Sequence, residues 1–382
     1  MQNGLSDRLA DSWRSRPKRS AAAYVAAIAS ASLLLTTLLH FPYGPEHWSA
    51  DLRTAYLSKR PATQHPQVAL IYVTDRTLAG YPYVSPTDRQ LLADLIKAVD
   101  AAGPKVIGFD FIIDRPTEPA KDEALIEALK NARTPVVLGA VDEEPLPGEA
   151  KTYQARYLER TGRDYGHLYF DERRSTLVIS DHVVRLMARR PPGTPLSRSF
   201  AERVADKVGP YDTPQSRYIS WLLTPRDRTE TFLSLSAEQV LGRDAARLPV
   251  QELLRGKMVL IGGDFPDRDR HLTPLSVVSD SRYPGLFIHA QILAQLIEDR
   301  SLAVLPWYLR LAAILFAGCL GYVIGRRVKQ YHLIVELVAV AVLIGGGIVA
   351  FVYAQLILPY TGVLLALLAG IAGGRYGRRV LE

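Results

Sequence analysis

The sequence predicts an α/β fold, a mostly parallel sheet with flanking helices, carried on four transmembrane helices, one N-terminal and three C-terminal. Three observations lead there. Strand-like and helix-like stretches alternate from Val68 onward, long apolar runs sit at both ends of the chain, and basic residues cluster beside those runs. Buried-type strands alternating with amphipathic helices are the pattern of a parallel sheet covered on both faces.

The apolar runs set the topology. Residues 21–41 carry no charge, and 305–325, 333–353 and 356–374 are also long and apolar. A membrane-spanning helix needs about 20 such residues. The first run is longer than a signal-peptide core, and its small residues Ala29 to Ser32 lie mid-run, so it reads as an uncleaved anchor. The segments are then a basic tail (1–20), a span (21–41), a large domain (42–304), a span (305–325), a loop (326–332), two further spans (333–353 and 356–374) and a basic tail (375–382).

Charge fixes the orientation. The chain holds 46 Lys+Arg and 39 Asp+Glu, net +7. Pro42 to Val304 is nearly neutral, with 34 basic and 35 acidic residues. The basic excess falls in three clusters: Arg14, Arg16, Lys18 and Arg19; Arg326, Arg327 and Lys329; and Arg375, Arg378 and Arg379. With four spans all three lie on one side, the positive-inside pattern. Both termini are then cytoplasmic and the large domain faces outward. The pI near 9.3 is a topology signal, not a nucleic-acid one, because phosphate binding needs a positive surface on the domain that does it. The single cysteine, Cys319, lies in the second span, so the outward domain has no disulfide and no zinc-thiolate site.

Within the outward domain, Val68 to Thr74 (VALIYVT) reads as a buried strand. Ser85 is placed to cap a helix with Pro86 in its first turn, and Leu91, Leu92, Leu95, Ile96 and Val99 form one face at helical spacing. Gly103 and Pro104 end it. Lys105 to Ile113 is a second strand, Asp122 to Asn131 a helix and Pro135 to Val141 a third strand. Residues 143–217 break the rhythm, reading as an irregular insertion with a hairpin around Leu177 to Ile179. Tyr218 to Leu223 reads as a strand. Ser236 and Gln239 form a capping box on a short helix that Gly242 ends. Lys257 to Gly263 is a strand. Gly285 to Asp299 is a helix with Ile288, Ile292, Leu293, Leu296 and Ile297 on one face, leading almost directly into the second span.

The order of several motifs resembles the CHASE2 family, an extracytoplasmic sensory domain of bacterial signalling proteins. The matching residues are Asp51-x-Arg53, Val73-x-Asp75, Pro82 with Arg89, Gly108-Phe109-Asp110 and Asp122. In the later half they are Gly256-Lys257 before VLIGG, Asp269 with Thr273-Pro274, and Pro284-Gly285 with His289-Ala290. The resemblance covers most of Asp51 to Leu305. It departs at Asp171-Glu172-Arg173-Arg174, where the family's Asp-Gly turn lacks its glycine. It departs again at the end of the chain, where family members commonly continue into a cyclase or kinase. The resemblance implies a bacterial inner (plasma) membrane protein with a periplasmic sensory domain.

Parallel sheets bind ligands at the carboxyl ends of their strands. Asp75, Asp110, Asp114 and Asp264 sit at or near those ends, with Arg89 close in sequence. They either hold a polar or cationic ligand or divalent ion, or they cap helices and pair with Arg89 or Arg76. His289 either senses a ligand or pH, or is a hydrogen-bonded core residue. His271 reads as a loop residue. No two histidines have metal-ligand spacing, no nucleophile elbow or HExxH occurs, and "GGD" at 262–264 is a strand-ending turn. No enzyme activity, metal or cofactor is therefore expected. Glu336, inside the third span, is expected to pair with Lys329 or Arg327, and Arg310 to snorkel.

Two functions fit. One is a membrane-anchored sensor or adaptor that passes a signal to a separate membrane or cytoplasmic protein. The other is a structural or docking subunit of a bacterial envelope complex. Both leave room for a homo-oligomer. Gly345, Gly346, Gly347, Gly370, Gly373 and Gly374 either contact a partner's helices or pack the spans together.

Overall fold

The computed structural model describes residues 15–37, 43–142, 147–171, 182–212, 214, 216–242, 248–266, 269–279 and 281–381. The chain divides into two compact units. An α/β unit covers Ser58–Arg173 and Ser180–Ser301, and a helical unit covers Met1–Leu57 and Leu302–Glu382.

The helical unit opens with α1 (Pro17–Thr37) and α2 (Tyr43–Leu57). In the α/β unit, β1 (Val68–Thr74) passes through the short α3 (Asp75–Leu78) to α4 (Arg89–Ala101). Then come β2 (Val106–Asp110), α5 (Pro119–Asn131) and β3 (Val136–Ala140). The next two elements, α6 (Gly148–Thr161) and β4 (Asp164–His167), fall inside the stretch expected to be irregular. Two-residue strands β5 (Phe170–Asp171) and β6 (Leu186–Met187) pair antiparallel, and α7 (Phe200–Asp206) follows. β7 (Leu233–Ser236) runs into α8 (Ala237–Val240), and α9 (Val250–Leu254) precedes β8 (Met258–Asp264). β9 (Arg270–His271), α10 (Ser276–Ser279) and β10 (Tyr283–Pro284) lead to α11 (Gly285–Ile297).

Six strands form one parallel sheet in the order β4-β3-β2-β8-β1-β7. The last strand in sequence is a central one. β8 lies between β1 and β2, with Val259 beside both Ala69 and Ile107. Its run MVLIGG is buried throughout, as a strand with neighbours on both sides and helices on both faces must be. Side chains alternate across the sheet. Ile71, Ile107, Phe109, Leu138 and Ile261 enter a core with α4, α5, α6, α8 and α9. Leu70, Val106, Val137 and Leu260 enter a second core with α7 and α11.

Two expectations for the α/β unit need correction, and a third is not tested. Helix α4 is capped by Asp88, not Ser85: its Oδ1 accepts the Leu91 N–H at 3.0 Å. The hairpin placed around Leu177 to Ile179 lies outside the described residues. Tyr218 to Leu223 is extended but does not join the sheet. The N–H groups of Ile219 and Leu223 bond to the Arg185 and Lys59 carbonyls, and two glutamines one helical turn apart on α11 serve much of the rest. Gln291 accepts the Leu222 N–H at 2.8 Å and donates to the Leu222 carbonyl at 3.0 Å. Gln295 accepts the Ser220 N–H at 2.7 Å and donates to the Tyr218 carbonyl at 3.3 Å. Both glutamines are wholly buried, which only such pairing permits.

The rest of the helical unit is β11 (Ala303–Val304), α12 (Trp307–Arg327), α13 (His332–Ala354), β12 (Leu356–Ile357) and α14 (Tyr360–Leu381). Among the described residues two helices are long and apolar enough to cross a membrane, α12 and α13. Leu356 and Ile357, expected to begin a span, pair with Ala303 and Val304 instead. Glycines bring α12 and α14 together: a Cβ on Gly321 would lie 2.1 Å from the Leu367 carbonyl oxygen, and one on Gly370 2.3 Å from that of Gly318. Gly370, Gly373 and Gly374 therefore pack this unit internally, while Gly345 and Gly346 on α13 face open space. Glu336 bonds Arg375 rather than Lys329 or Arg327, because α14 carries that guanidinium alongside it. Arg310 donates through Nε to the Leu305 carbonyl at 2.9 Å.

Candidate functional site

The carboxyl ends of β1, β2 and β8 meet where the strand order reverses, and the sequence-predicted residues divide there between the two faces of the sheet.

On the α4 and α5 face lies Arg89, only 2 % exposed. Its Nη1 donates to the Thr87 carbonyl at 3.2 Å, and its Nε lies 3.7 Å from Asp122 Oδ1. Asp122 also accepts from the Thr117 N–H at 2.8 Å and the Thr117 hydroxyl at 2.7 Å. Lys121 donates to Asp88 at 2.7 Å and to Glu118 at 3.2 Å. Every carboxylate here has a cation or a helix N-terminus beside it. Asp114 closes a doubly hydrogen-bonded pair with Arg115, both bonds at 3.0 Å, on the rim of a cleft of about 820 Å³. Asp75 joins neither cluster. It is an exposed first-turn residue of α3, whose cap is the side chain of Thr74.

The opposite face is different. Asp110 ends β2 on the same side as Val106, facing the core of α7 and α11. It packs over Gly262, where an added Cβ would lie 3.2 Å from Asp110 Cβ and 2.9 Å from Leu286 Cδ1. Asp264 ends β8 on this side and is held by Arg270 through two hydrogen bonds, Nε to Oδ1 at 2.8 Å and Nη2 to Oδ2 at 3.0 Å. Asp269 and His271 flank the first residue of α11: a Cβ on Gly285 would lie 3.2 Å from Asp269 Oδ1 and 3.7 Å from His271 Nε2. One turn further, His289 is 2 % exposed and sits 4.6 Å from the Phe170 ring and 5.2 Å from that of Phe200. Phe170 also meets His271 at 5.2 Å. His167 is fully buried nearby, stacked on Tyr169 at 5.8 Å.

The electrostatics follow from this crowding. Burial, then the charge of Asp269, pushes Asp110 well above the usual carboxylate range. No cation pairs with it among the described residues. Asp269 is pushed up to about 6, chiefly by burial, with His271 opposing and Asp264 adding to the shift. Burial, then His167 and His271, hold His289 down at about 3, so its imidazole is neutral. Tyr72, on β1 of the same face, is pushed up by burial and by Asp264.

The structure thus brings Asp110, Asp264 and His289 together, puts Arg89 and Asp114 on the other face, and leaves Asp75 in solvent. The cluster's further members are Asp269, His271, His167, Arg270 and Phe170. Asp269 was visible in the sequence only as a motif residue, and His271 reads there as loop. His167 carries no local signal, because its role depends on where β4 joins the sheet. Among the described residues no group of three or more His, Cys, Asp or Glu is arranged to hold a metal ion.

The far end of α11 is a tight ionic latch. Glu298 accepts from Arg300 at 2.7 Å and Lys59 at 3.1 Å, and lies 3.3 Å from His65 Nε2. His65 Nδ1 accepts the Val68 N–H at 3.2 Å, so its proton sits on Nε2, toward Glu298. This bond first, then Arg300 and Lys59, hold Glu298 down at about 2, against burial.

One protein family matches this chain: the model of the CHASE2 domain aligns with residues 25–323. No curated protein and no solved structure matches it.

Proposed function

The chain belongs to the CHASE2 domain family, a family of extracytoplasmic sensory domains, and from that premise we propose that it is a membrane-anchored sensor whose input site is the carboxyl end of its sheet. The observation that carries this reading is the cluster around the start of α11. Acidic and imidazole groups with little charge compensation collect there, at the switch point of a parallel sheet. The helix they surround is followed shortly in sequence by α12, one of the two candidate spans.

In this proposal the protein sits in a bacterial inner membrane with four spans, α1, α12, α13 and α14, and both termini in the cytoplasm. The basic clusters support that orientation. The input is passed through the helices to a separate output protein rather than used in catalysis. Helix α13 supports a partner-facing or lipid-facing role, since Leu333, Leu337 and Val342 are exposed along it and Gly345 and Gly346 are open. A ligand moves such a device only by binding one of its two states better than the other.

Topology reporters and crosslinking test the reading. A reporter active only outside the cytoplasm should be active when fused after Arg160 and silent after Glu382. The opposite result would remove the topology. Cysteine at Gly346 should crosslink to a second protein at native expression, whereas self-crosslinks alone would favour a self-contained homo-oligomer.

A further inference from the structure

Helix α2 is inside out for a helix in water. It buries its charged and polar residues Asp51, Arg53 and Thr54. It turns aromatic rings outward, with Trp48 59 % exposed and Tyr56 62 %. Trp48, Leu52 and Tyr56, spaced four apart, follow one side of the helix. A surface helix facing water shows the reverse, with its apolar stripe on the core and its charges in solvent. Buried charge beneath an exposed aromatic ridge is what a helix shows when lipid rather than water covers its outside. We propose that α2 is an interfacial helix whose partner is the headgroup and acyl-chain boundary of the bilayer, with Trp48 and Tyr56 as its anchors. The inference rests on the membrane reading above and adds a lipid-binding surface to it.

The rest of the helical unit supplies the context. With its 15 residues α2 is ~22 Å long, too short for a hydrocarbon core of ~30 Å, so it lies along a bilayer rather than across it. Helices α12 and α13 are long enough to cross. Ala303 pairs with Leu356 and Val304 with Ile357, which brings the start of α12, the end of α13 and the start of α14 to one end of this unit. Helix α2 packs against α13 and α14 there. The Arg53 guanidinium lies 4.1 Å from the centroid of the Tyr360 ring, and Tyr360 is the first residue of α14. A guanidinium over a ring keeps its charge inside the unit without water. Trp307 and Tyr308, on the first turn of α12, and Tyr353, at the end of α13, are exposed at this same end. Tryptophan and tyrosine collect where hydrocarbon meets water, because the ring is apolar while its N–H or O–H stays wet. The outer side of α2 thus continues a collar of rings at the ends of two candidate spans. Rings rather than charges make the contact, since Asp51 and Arg53 both point away from it, so neutral and anionic lipids should serve alike.

Spin labels on the full-length chain in phosphatidylcholine vesicles test this, with Cys319→Ser removing the native thiol. Labels are attached singly through Trp48→Cys, Tyr56→Cys, Val342→Cys on the exposed side of α13, and Lys97→Cys on the exposed side of α4. Collision with oxygen, which concentrates in lipid, is compared with collision with a water-soluble nickel chelate. Val342 should read as lipid and Lys97 as water. Trp48 and Tyr56 should fall between them, with an oxygen-to-nickel ratio several-fold above that of Lys97, unchanged when phosphatidylglycerol is mixed in. Because these labels replace the rings, the native side chain is read as well: lipids brominated high on the acyl chain should quench the fluorescence of wild type more than that of Trp48→Phe. Labels at Trp48 and Tyr56 that match Lys97 while Val342 reads as lipid would overturn the proposal and leave the membrane reading standing. Equal quenching of wild type and Trp48→Phe would count against it in the same way. Low access to both collision reagents would also overturn it, since protein would then cover this face of α2. A Val342 label that reads as water would instead sink the membrane reading, and this inference with it.

Discussion

The two faces of the sheet meet the same carboxyl edge with opposite chemistry. On the α4 face, Arg89 faces Asp122, Lys121 bridges Asp88 and Glu118, and Asp88 caps a helix. On the α11 face, Asp110 packs by Gly262 and Leu286 and Asp269 by Gly285, near imidazoles and aromatic rings. An acidic residue at a strand end is therefore not one kind of object. Where a cation is built in beside it, the carboxylate holds the fold together. Where none is found among the described residues, burial raises the carboxyl instead.

The largest effect that could break this comparison is at Asp122. Asp122→Ala leaves the buried Arg89 without its counter-charge and should cost about 3–5 kcal/mol in denaturant unfolding. A loss below about 1 kcal/mol would show that the pair is not structural. The second test is at the latch. Glu298 is held far below its ordinary value of 4.5, so its stabilisation is present above 4.5 and lost as pH falls toward about 2. Glu298→Gln should cost up to about 3 kcal/mol at pH 7, shrinking as acid is added, measured by urea unfolding at each pH. An unchanged cost at pH 3 would contradict that assignment. Asp110→Asn sharpens the contrast: its pKa is raised and no cation among the described residues pairs with it, so the substitution should cost less than about 1 kcal/mol at pH 7.5. A larger loss would place Asp110 with Asp122 as a structural carboxylate. The smallest effects are expected at Asp114 and Asp75. Asp114→Ala breaks a pair with the exposed Arg115, and Asp75→Ala removes an exposed first-turn charge, so each should change stability by less than about 1 kcal/mol.

What the sequence disclosed divides along physical lines. β1, β2, β3 and β8 are legible because strands buried on both faces must be continuously apolar, and VALIYVT and KMVLIGG leave little alternative. β4 reads DYGH because it is an edge strand, and its polarity hides it. Helix α6 is similarly masked by charge, with only Gln154, Tyr157, Leu158 and Thr161 buried. Tyr218 to Leu223 has the apolar content of a strand, yet several of its backbone partners are side-chain amides some 70 residues away, which no local pattern reports. The site was half visible for the same reason. Strand-end positions locate Asp110 and Asp264, but what separates Asp110 from Asp114 is the face each meets and the Arg115 beside Asp114, which no strand-end pattern reports.

The central position of β8 carries a consequence for the order of folding. β1 and β2 are not neighbours; each waits for a strand that arrives roughly 190 and 150 residues later in the chain. Bringing such distant segments together incurs loop-closure entropy before any ladder compensates it, and pairings of this kind form slowly. Until Met258 to Asp264 has emerged, β1 and β2 each present an unpaired apolar edge, the kind of surface that seeks other chains. A nascent chain halted before Met258 should therefore be captured by holding chaperones or aggregate, and release past Asp264 should let the sheet close as one cooperative event.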